Sequence, residues 1–174
     1  MKKIVSLLLC AVCLFAFAAC GNQTSEPAGS ADEAVGSIEA QMANPFVSYD
    51  TLEEAAAVTG FDFLVPAAMD GYTDRNIQVM DGRLLQVTYI DESGSMLMLR
   101  KAEGSDDISG DYIIYADTKT VTLPNGVEAE LRGDETSFQT AVWTADGFSY
   151  SVSSDVPMDE AAMVDLISSL DLAD

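Results

Sequence analysis

The chain has 174 residues and a formal net charge of −21, with 29 Asp and Glu against 8 Lys and Arg and no histidine. Nucleic-acid binding draws most of its affinity from a basic face, so this balance excludes that class of protein. A strongly acidic domain is also repelled by an anionic lipid surface. The lack of histidine removes the usual general base and most zinc sites.

Residues 1–19 have the three-part form of a secretory signal peptide, with a basic start, an apolar run and small residues at the end. The apolar run is shorter than the ~20 residues that span a bilayer. The sequence AACG at 18–21 resembles the lipobox of bacterial lipoproteins. This resemblance implies cleavage between Ala19 and Cys20 and acylation of the Cys20 sulfur with diacylglycerol.

Cys20 would be the only cysteine of the mature chain, because Cys10 and Cys13 lie within the signal peptide. An intramolecular disulfide is then impossible. A buried or incidental cysteine is the alternative interpretation. One acyl chain holds a protein only marginally, whereas two or three, such as palmitate beside diacylglycerol, make a stable anchor. We expect a protein anchored by lipid on Cys20 at the bacterial cell membrane, facing the extracytoplasmic side.

The mature chain divides into a tether and one domain. Residues 20–43 are rich in Gly, Ser, Ala and acidic residues, a composition typical of a flexible linker. A frayed helix over 31–42 is the alternative there. Residues 44–174 are long enough to bury one core but not two, so we predict a single domain.

The domain begins with a predicted helix over residues 50–60. Asp50 is expected to cap it, with Glu53 completing a capping box, and Gly60 to end it in a left-handed conformation. Residues 61–66 follow as an extended segment.

A hairpin is predicted from strands at 72–80 and 83–90. A two-residue loop would place Ile77 opposite Gln86, and a three-residue loop over residues 80–82 would place it opposite Leu85. The second loop is preferred, because register follows the apolar face of a sheet. That face would contain Ile77, Val79, Leu85, Val87 and Tyr89.

The clearest hairpin covers residues 137–153 and turns at Asp146-Gly147. Its apolar side pairs Trp143 with Tyr150 and Ala141 with Val152, as expected for an antiparallel sheet covered on one side only. Its polar side includes Thr144, Ser149 and Ser151, and we expect that side to be wet or to meet a partner. Other strands are predicted at 96–100, 112–116, 120–123 and 127–131.

A final helix over residues 158–170 is predicted to cover the apolar face. Its apolar residues at helical spacing are Met163, Leu166, Ile167 and Leu170. The expected fold class is α+β: a single curved antiparallel sheet of about six to eight strands, with a helix near each sequence end of the domain packed on one face.

The order of several short motifs resembles the bacterial family catalogued as domain of unknown function 4367, over nearly the whole folded part. The motifs are LEE at 52–54, FLVP at 63–66, GY at 71–72, DISGDY at 107–112, AVWTADGFSY at 141–150 and ISSL at 167–170. The resemblance implies a domain outside the cytoplasmic membrane, behind a lipoprotein signal or one transmembrane helix, sometimes beside anti-sigma-factor regions. It implies a sensing or interaction module and supplies no catalytic residue.

The sequence offers little for catalysis. It has no Gly-x-Ser-x-Gly elbow and no phosphate-binding loop. A pair of carboxylates could hydrolyse a glycoside, but among 29 acidic residues some pair is always close. We therefore expect no enzymatic activity and no cofactor.

The acidic stretch at 105–111 is a weak candidate for a calcium site. Asp107, Ser109 and Asp111 would supply hard oxygen ligands around Gly110. A turn is the preferred interpretation, because Asp and Ser bond to their own backbone in turns and glycine permits positive φ.

The predicted function is a lipid-anchored binding or signal-sensing domain without catalytic activity, meeting a protein partner in the envelope and no nucleic acid. The alternative is a lipoprotein that carries an apolar ligand between sheet and helices, and a carboxylate-dependent hydrolase is a further one. Trp143 and Tyr150 are interpreted as core aromatics rather than an exposed ligand platform.

Overall fold

The computed structural model describes residues 44–170, which form one eight-stranded sheet and two helices. The strands are β1 (Phe46–Tyr49), β2 (Tyr72–Met80), β3 (Leu84–Asp91), β4 (Met96–Glu103), β5 (Asp117–Thr122), β6 (Glu128–Gly133), β7 (Phe138–Ala145) and β8 (Phe148–Met158). The helices are α1 (Leu52–Thr59) and α2 (Glu160–Ser169). Neither of these two helices is long and apolar enough to cross a membrane.

The strand order across the sheet is β1-β2-β3-β4-β8-β7-β6-β5, and every neighbouring pair is antiparallel. The expected α+β class with a single antiparallel sheet is confirmed. Because four antiparallel steps separate β4 from β5, these two strands run in the same direction. The chain between them must pass three strands and return along their length. We call this connection, residues 104–116, the crossover segment.

Side chains alternate between the two faces of the sheet, and one face, the core face, is apolar. Its central members are Ile77, Val79, Leu85, Val87, Leu99, Leu131, Ala141, Trp143, Tyr150 and Val152, none more than 4% exposed. The Trp143 and Tyr150 rings stack with centroids 5.3 Å apart. The interpretation of these two aromatics as core residues is therefore confirmed.

Both helices contribute side chains to this core. Ala55 of α1 is fully buried, as are Met163 and Ile167 of α2. α1 packs against β1, β2 and β3, and α2 against β7 and β8. Burial of such side chains, at about 25 cal/mol per Å² of apolar surface, is the main stabilising contribution to a domain of this size.

The helix ends follow local hydrogen bonding. Thr51, not Asp50, caps α1, since its hydroxyl accepts a hydrogen bond from the Glu54 amide at 3.2 Å. The predicted cap was therefore one residue early. Gly60 ends α1 with φ of 84°, as predicted. Asp159 caps α2 by accepting a hydrogen bond from the Ala162 amide at 2.8 Å.

The β2–β3 hairpin has the predicted faces but another register. Ile77 lies opposite Val87, not Leu85. Asp81 and Gly82 both have positive φ, and the Arg83 amide closes the turn on the Met80 carbonyl, so the loop is displaced by one residue. The pairing shifts by two residues, which leaves every side chain on its expected face because the side-chain period is also two.

The β7–β8 hairpin has the predicted register. Trp143 lies opposite Tyr150, Ala141 opposite Val152, and Ala145 opposite Phe148. Asp146 and Gly147 form the two-residue turn, both with positive φ. A bulge interrupts the pairing only at the far end of the hairpin.

Two strand assignments fail. The predicted strand at 112–116 is irregular and largely exposed, and the edge strand β1 was not predicted. Residues 112–116 have strand-forming composition but belong to the crossover segment, which finds no neighbouring strand to pair with in the described residues. β1 has only four residues, too few for a clear alternation.

A lysine occupies the core face of β4. Lys101 is 5% exposed, and its ammonium donates to the Asp62 carbonyl at 2.6 Å. The same nitrogen lies 4.4 Å from the Phe148 ring centroid and 5.5 Å from that of Phe61. Carbonyl and ring faces thus stabilise a charge that burial would otherwise penalise.

Candidate interaction site

The crossover segment lies on the side of the sheet away from the core, which we call the opposite face. It begins beside the β7–β8 turn, where the Gly104 amide donates to the Gly147 carbonyl at 2.8 Å and the Ser149 hydroxyl donates to the Gly104 carbonyl at 3.2 Å. It then contacts Arg132 on β6 and Thr140 on β7. The segment therefore crosses β8, β7 and β6 on its way to β5.

The segment changes the expected character of the opposite face. Ser149 and Ser151 are only 2% and 1% exposed, whereas Thr144 is exposed. The expectation of a wet or partner-facing polar side was therefore wrong for the two serines. The physical reason is topological, because the connection from β4 to β5 has to traverse this face.

Arg100 on β4 is the main anchor under the segment. Its Nη1 donates to the Ser109 carbonyl at 2.6 Å and the Ile108 carbonyl at 3.0 Å, and its Nε donates to Gln86 Oε1 at 2.8 Å. Burial lowers the pKa of Arg100, although a guanidinium stays protonated in proteins. Its planar donor array lets one side chain satisfy two loop carbonyls.

Gly110 allows the segment to lie directly on Arg100. Its φ is +65°, and a Cβ at this position would approach Arg100 Nη1 to less than 3.0 Å. The predicted positive φ at Gly110 is confirmed, and the tertiary contact adds a second reason for glycine that the sequence did not reveal.

Asp107 fixes the first half of the segment. Its Oδ1 accepts hydrogen bonds from the Ser109 amide and hydroxyl at 2.9 and 2.7 Å, and its Oδ2 accepts from Arg132 Nη1 at 2.7 Å. Arg132 also donates through Nε to Glu130 at 2.7 Å. Burial acts to raise the pKa of Asp107, but the hydrogen bonds from Ser109 and Arg132 outweigh it and the pKa is lowered.

Asp111 and Tyr115 fix the second half at a common point. The Thr140 hydroxyl donates to Asp111 Oδ2 at 2.8 Å, the Tyr115 hydroxyl donates to the same oxygen, and the two hydroxyl oxygens lie 3.1 Å apart. Asp111 Oδ1 accepts from the Ile113 amide at 2.9 Å. Burial acts to raise the pKa of Asp111, but the hydrogen bonds from Tyr115, Ile113 and Thr140 lower it overall.

These contacts bear on the weak calcium candidate. The carboxylates of Asp107 and Asp111 already accept hydrogen bonds from protein donors, and one of those donors is a guanidinium. Within residues 44–170, no three His, Cys, Asp or Glu side chains are grouped as a metal site would require. Asp107 and Asp111 each accept a hydrogen bond from an amide two residues further along the chain, as the turn interpretation predicts.

Between the two fixed residues, the chain exposes an apolar tripeptide that we call the crest: Tyr112, Ile113 and Ile114. Their exposed fractions are 95%, 65% and 97%. Exposed apolar residues that adjoin one another mark contact sites more often than isolated ones do. The composition of this run predicts a strand and therefore does not indicate the crest. The continuous Tyr-Ile-Ile-Tyr without polar alternation was the available signal.

A cavity of about 250 Å³ adjoins the crest on the opposite face. Ile113 lines this cavity, as do Met96 and Met98 of β4. Asp155, which also lines it, accepts a hydrogen bond from the Met96 amide at 2.8 Å. The crest therefore continues into a partly apolar depression rather than standing alone.

Several predicted features cannot be placed in this arrangement. Ala19, Cys20 and the tether at 20–43 lie outside the described residues. Cleavage, acylation and tethering at these positions remain predictions.

An open antiparallel sheet with two helices and a long crossover on its second face defines a small α+β sheet domain. The chain belongs to the family described as Domain of unknown function (DUF4367), whose family model matches residues 62–164, more than half of the chain. The match includes the whole of the crossover segment and the strands on which it lies. No curated protein and no solved structure matched the chain.

Proposed function

We propose that this protein is a lipid-anchored binding or signal-sensing domain on the extracytoplasmic side of the bacterial cell membrane, without catalytic activity, and that its ligand is an envelope protein. The location rests on the signal-peptide form of residues 1–19 and the lipobox-like sequence ending at Cys20.

The crest is the observation that carries the proposal of binding. Burial of an Ile side chain from water is favourable by roughly 1.5–3 kcal/mol, so the fold leaves this stabilisation unused at two adjacent isoleucines. Both are at least 65% exposed, while the surrounding segment is held by hydrogen bonds. A contact surface explains why the chain does not bury them.

The space between sheet and helices supports a protein contact over transport of an apolar ligand. Leu85, Val87, Leu99 and Val152 are fully buried there and pack in one cluster with α1 and α2. We infer that both helices, near the two sequence ends of the domain, cover the same face of a curved sheet. An interior filled by side chains leaves little room for a lipid tail.

The anchor is tested by Cys20→Ser in cells. We expect the variant to leave the membrane fraction and appear in the soluble fraction, because the acylated sulfur is lost. Cys13→Ser is the matched control: it changes a cysteine of the signal peptide and should leave fractionation unchanged. A Cys20→Ser protein that stays fully membrane-bound would show that the anchor lies elsewhere.

Binding is tested by photo-crosslinking the full anchored chain in membranes, with benzoyl-phenylalanine placed in turn at several exposed positions. We expect at least one position to give a reproducible crosslink to a single protein. No crosslink from any position, together with turnover of an envelope polymer by the purified chain, would overturn the proposal in favour of the carboxylate-dependent hydrolase.

A further inference from the structure

We propose that the crest is a preformed docking element that inserts into an apolar pocket of its partner protein, and that Lys or Arg side chains rim this pocket. This inference rests on the proposed function and adds to it the contact residues and the chemistry of the partner.

The crest is held on the sheet at both of its ends. Asp111 and Tyr115, the residues immediately before and after it, bond to each other and both lie within hydrogen-bonding distance of Thr140. Thr140 is 1% exposed and belongs to β7, an interior strand of the sheet. The five residues from 111 to 115 therefore form an arch with both feet on the sheet. Its three middle residues, which form the crest, are exposed on the opposite face, away from the buried core.

Further hydrogen bonds hold the arch and the residues just before it. The Ile113 amide donates to Asp111 Oδ1 at 2.9 Å, and Arg100 holds the Ile108 and Ser109 carbonyls just before the arch. A loop that is ordered before binding loses less conformational entropy on binding. The crest is thus built as a rigid projection, and a projection of two isoleucines and a tyrosine is complementary to a concave apolar pocket.

The charged groups near the arch favour a basic partner. Arg132 is paired with Asp107 and Glu130, and Arg100 is half-buried under the segment, so these two arginines are engaged within the domain. Asp155 lines the cavity beside Ile113 and is exposed, and the exposed Asp106 precedes the arch in the sequence. The surface around the crest is therefore acidic, and complementary potentials at an interface require cations on the partner. An anionic lipid surface would repel it, which favours a protein over the membrane.

The contact is tested by crosslinking from the crest of the full anchored chain. Benzoyl-phenylalanine in place of Ile113 should give a specific crosslinked partner in membranes. The matched control carries it in place of Leu64, which is 58% exposed but lies far from the crossover segment in sequence and on the connection after α1. Equal crosslinking from both positions would overturn the inference.

The energetics are tested with the crosslinked partner once it has been purified. The double variant Ile113→Ser with Ile114→Ser should weaken its binding at least about tenfold, as expected for apolar hot spots. Leu64→Ser should leave the affinity unchanged. Wild-type affinity should also fall as the salt concentration rises from 50 to about 500 mM, because exposed charge pairs are screened. An unchanged affinity in the double variant, or no dependence on salt, would contradict the proposal.

The role of the arch is tested by Thr140→Val, which removes the hydroxyl at its feet and leaves all three crest residues in place. Partner affinity should fall severalfold, while Ser151→Ala, a buried change on the neighbouring strand, should leave it unchanged. Circular dichroism confirms that both variants are folded. Equal affinities for Thr140→Val and the wild type would show that the crest is not held for binding.

The outcomes separate this inference from the proposed function. A partner that crosslinks from other positions and still binds the double crest variant would support the proposed binding function. It would refute the inference that the crest is the contact site. Crest-dependent binding to vesicles of phosphatidylethanolamine and phosphatidylglycerol, without a protein, would overturn the partner's assigned chemistry. No partner from any position would remove the proposed function itself.

Discussion

The two faces of the sheet are closed by different forces. The core face carries apolar side chains such as Leu99 and Val152, which are fully buried and cluster with residues of both helices. Over β8, β7 and β6 the opposite face is covered by an irregular segment that is held by directional bonds from Arg100, Asp107 and Asp111. The core gains from many weak contacts, whereas the crossover segment depends on a few groups in fixed geometry.

This difference explains where exposed apolar residues can persist. On the core face an isoleucine side chain would contact other apolar side chains. On the opposite face the crossover segment is only one chain thick, so any side chain that points away from the sheet meets water. Ile114, at 97% exposed, is the clearest case. A surface of this kind can present apolar groups without weakening the core.

The largest expected effect separates two neighbours on β4. Leu99→Ala should lower the free energy of unfolding by about 2–5 kcal/mol, since it leaves a cavity in the core face. Met98→Ala, on the opposite face and only partly buried, should cost less than about 1.5 kcal/mol. Urea denaturation measures both. Equal losses would break the distinction between the faces.

Gly110→Ala tests the glycine contact beneath the crossover segment. We expect a loss of roughly 2–3 kcal/mol, from positive φ and from displacement of Arg100, whose charged hydrogen bonds hold two carbonyls. Gly126→Ala is the matched control, with φ of +85° and open space around the new Cβ, and should cost only about 1 kcal/mol. Thermal denaturation distinguishes them, and equal shifts would argue against a tight Arg100 contact.

Gly147→Val tests the turn of the β7–β8 hairpin, whose strands contribute to both faces of the sheet. Gly147 has φ of +84° in the β7–β8 turn, a conformation that β-branched residues resist. The domain should lose roughly 1–3 kcal/mol. Asp146→Asn, at the other positive-φ position, should be close to neutral because Asn tolerates this conformation. A denaturation midpoint unchanged by Gly147→Val would contradict the turn.

The smallest expected effect is in pH dependence. The folded-state pKa of Asp111 is lowered, so its contribution is fully present above the unfolded value of about 3.9 and is lost as pH falls through the folded value. Melting temperatures measured from pH 7 to pH 3 should therefore fall less steeply for Asp111→Asn than for the wild type. Hydrogen exchange at the Ile113 amide should quicken in the variant. Parallel pH profiles would show that Asp111 does not fix the segment.

Much of the core face could be predicted from the sequence. Alternation in β7 and β8 and a two-residue turn at Asp146-Gly147 determine which residues pair, and Trp143 and Tyr150 lie as predicted. The β2–β3 hairpin kept its faces despite a changed register, because local alternation survives a shift of two residues. Apolar residues at helical spacing in α2 likewise identified Met163 and Ile167.

The candidate site could not be predicted in the same way. Residues 112–116 have the composition of a strand, and local propensity alone favours that structure. Whether such a run becomes a strand depends on a neighbouring strand, and strand order is a property of the whole chain. The placement of β5 at the far edge converted the run into part of a crossover.

What the sequence by itself determined is therefore local: the alternation of strands, the turn glycines, the apolar stripe of α2 and the acidic composition. The tertiary structure alone decided that Arg100, Thr140 and Arg132, on three different strands, meet one connection and hold it on the sheet. The physical reason is range. Periodicity and turn chemistry act over a few residues, whereas the exposure of the crest follows from contacts between residues up to 29 positions apart.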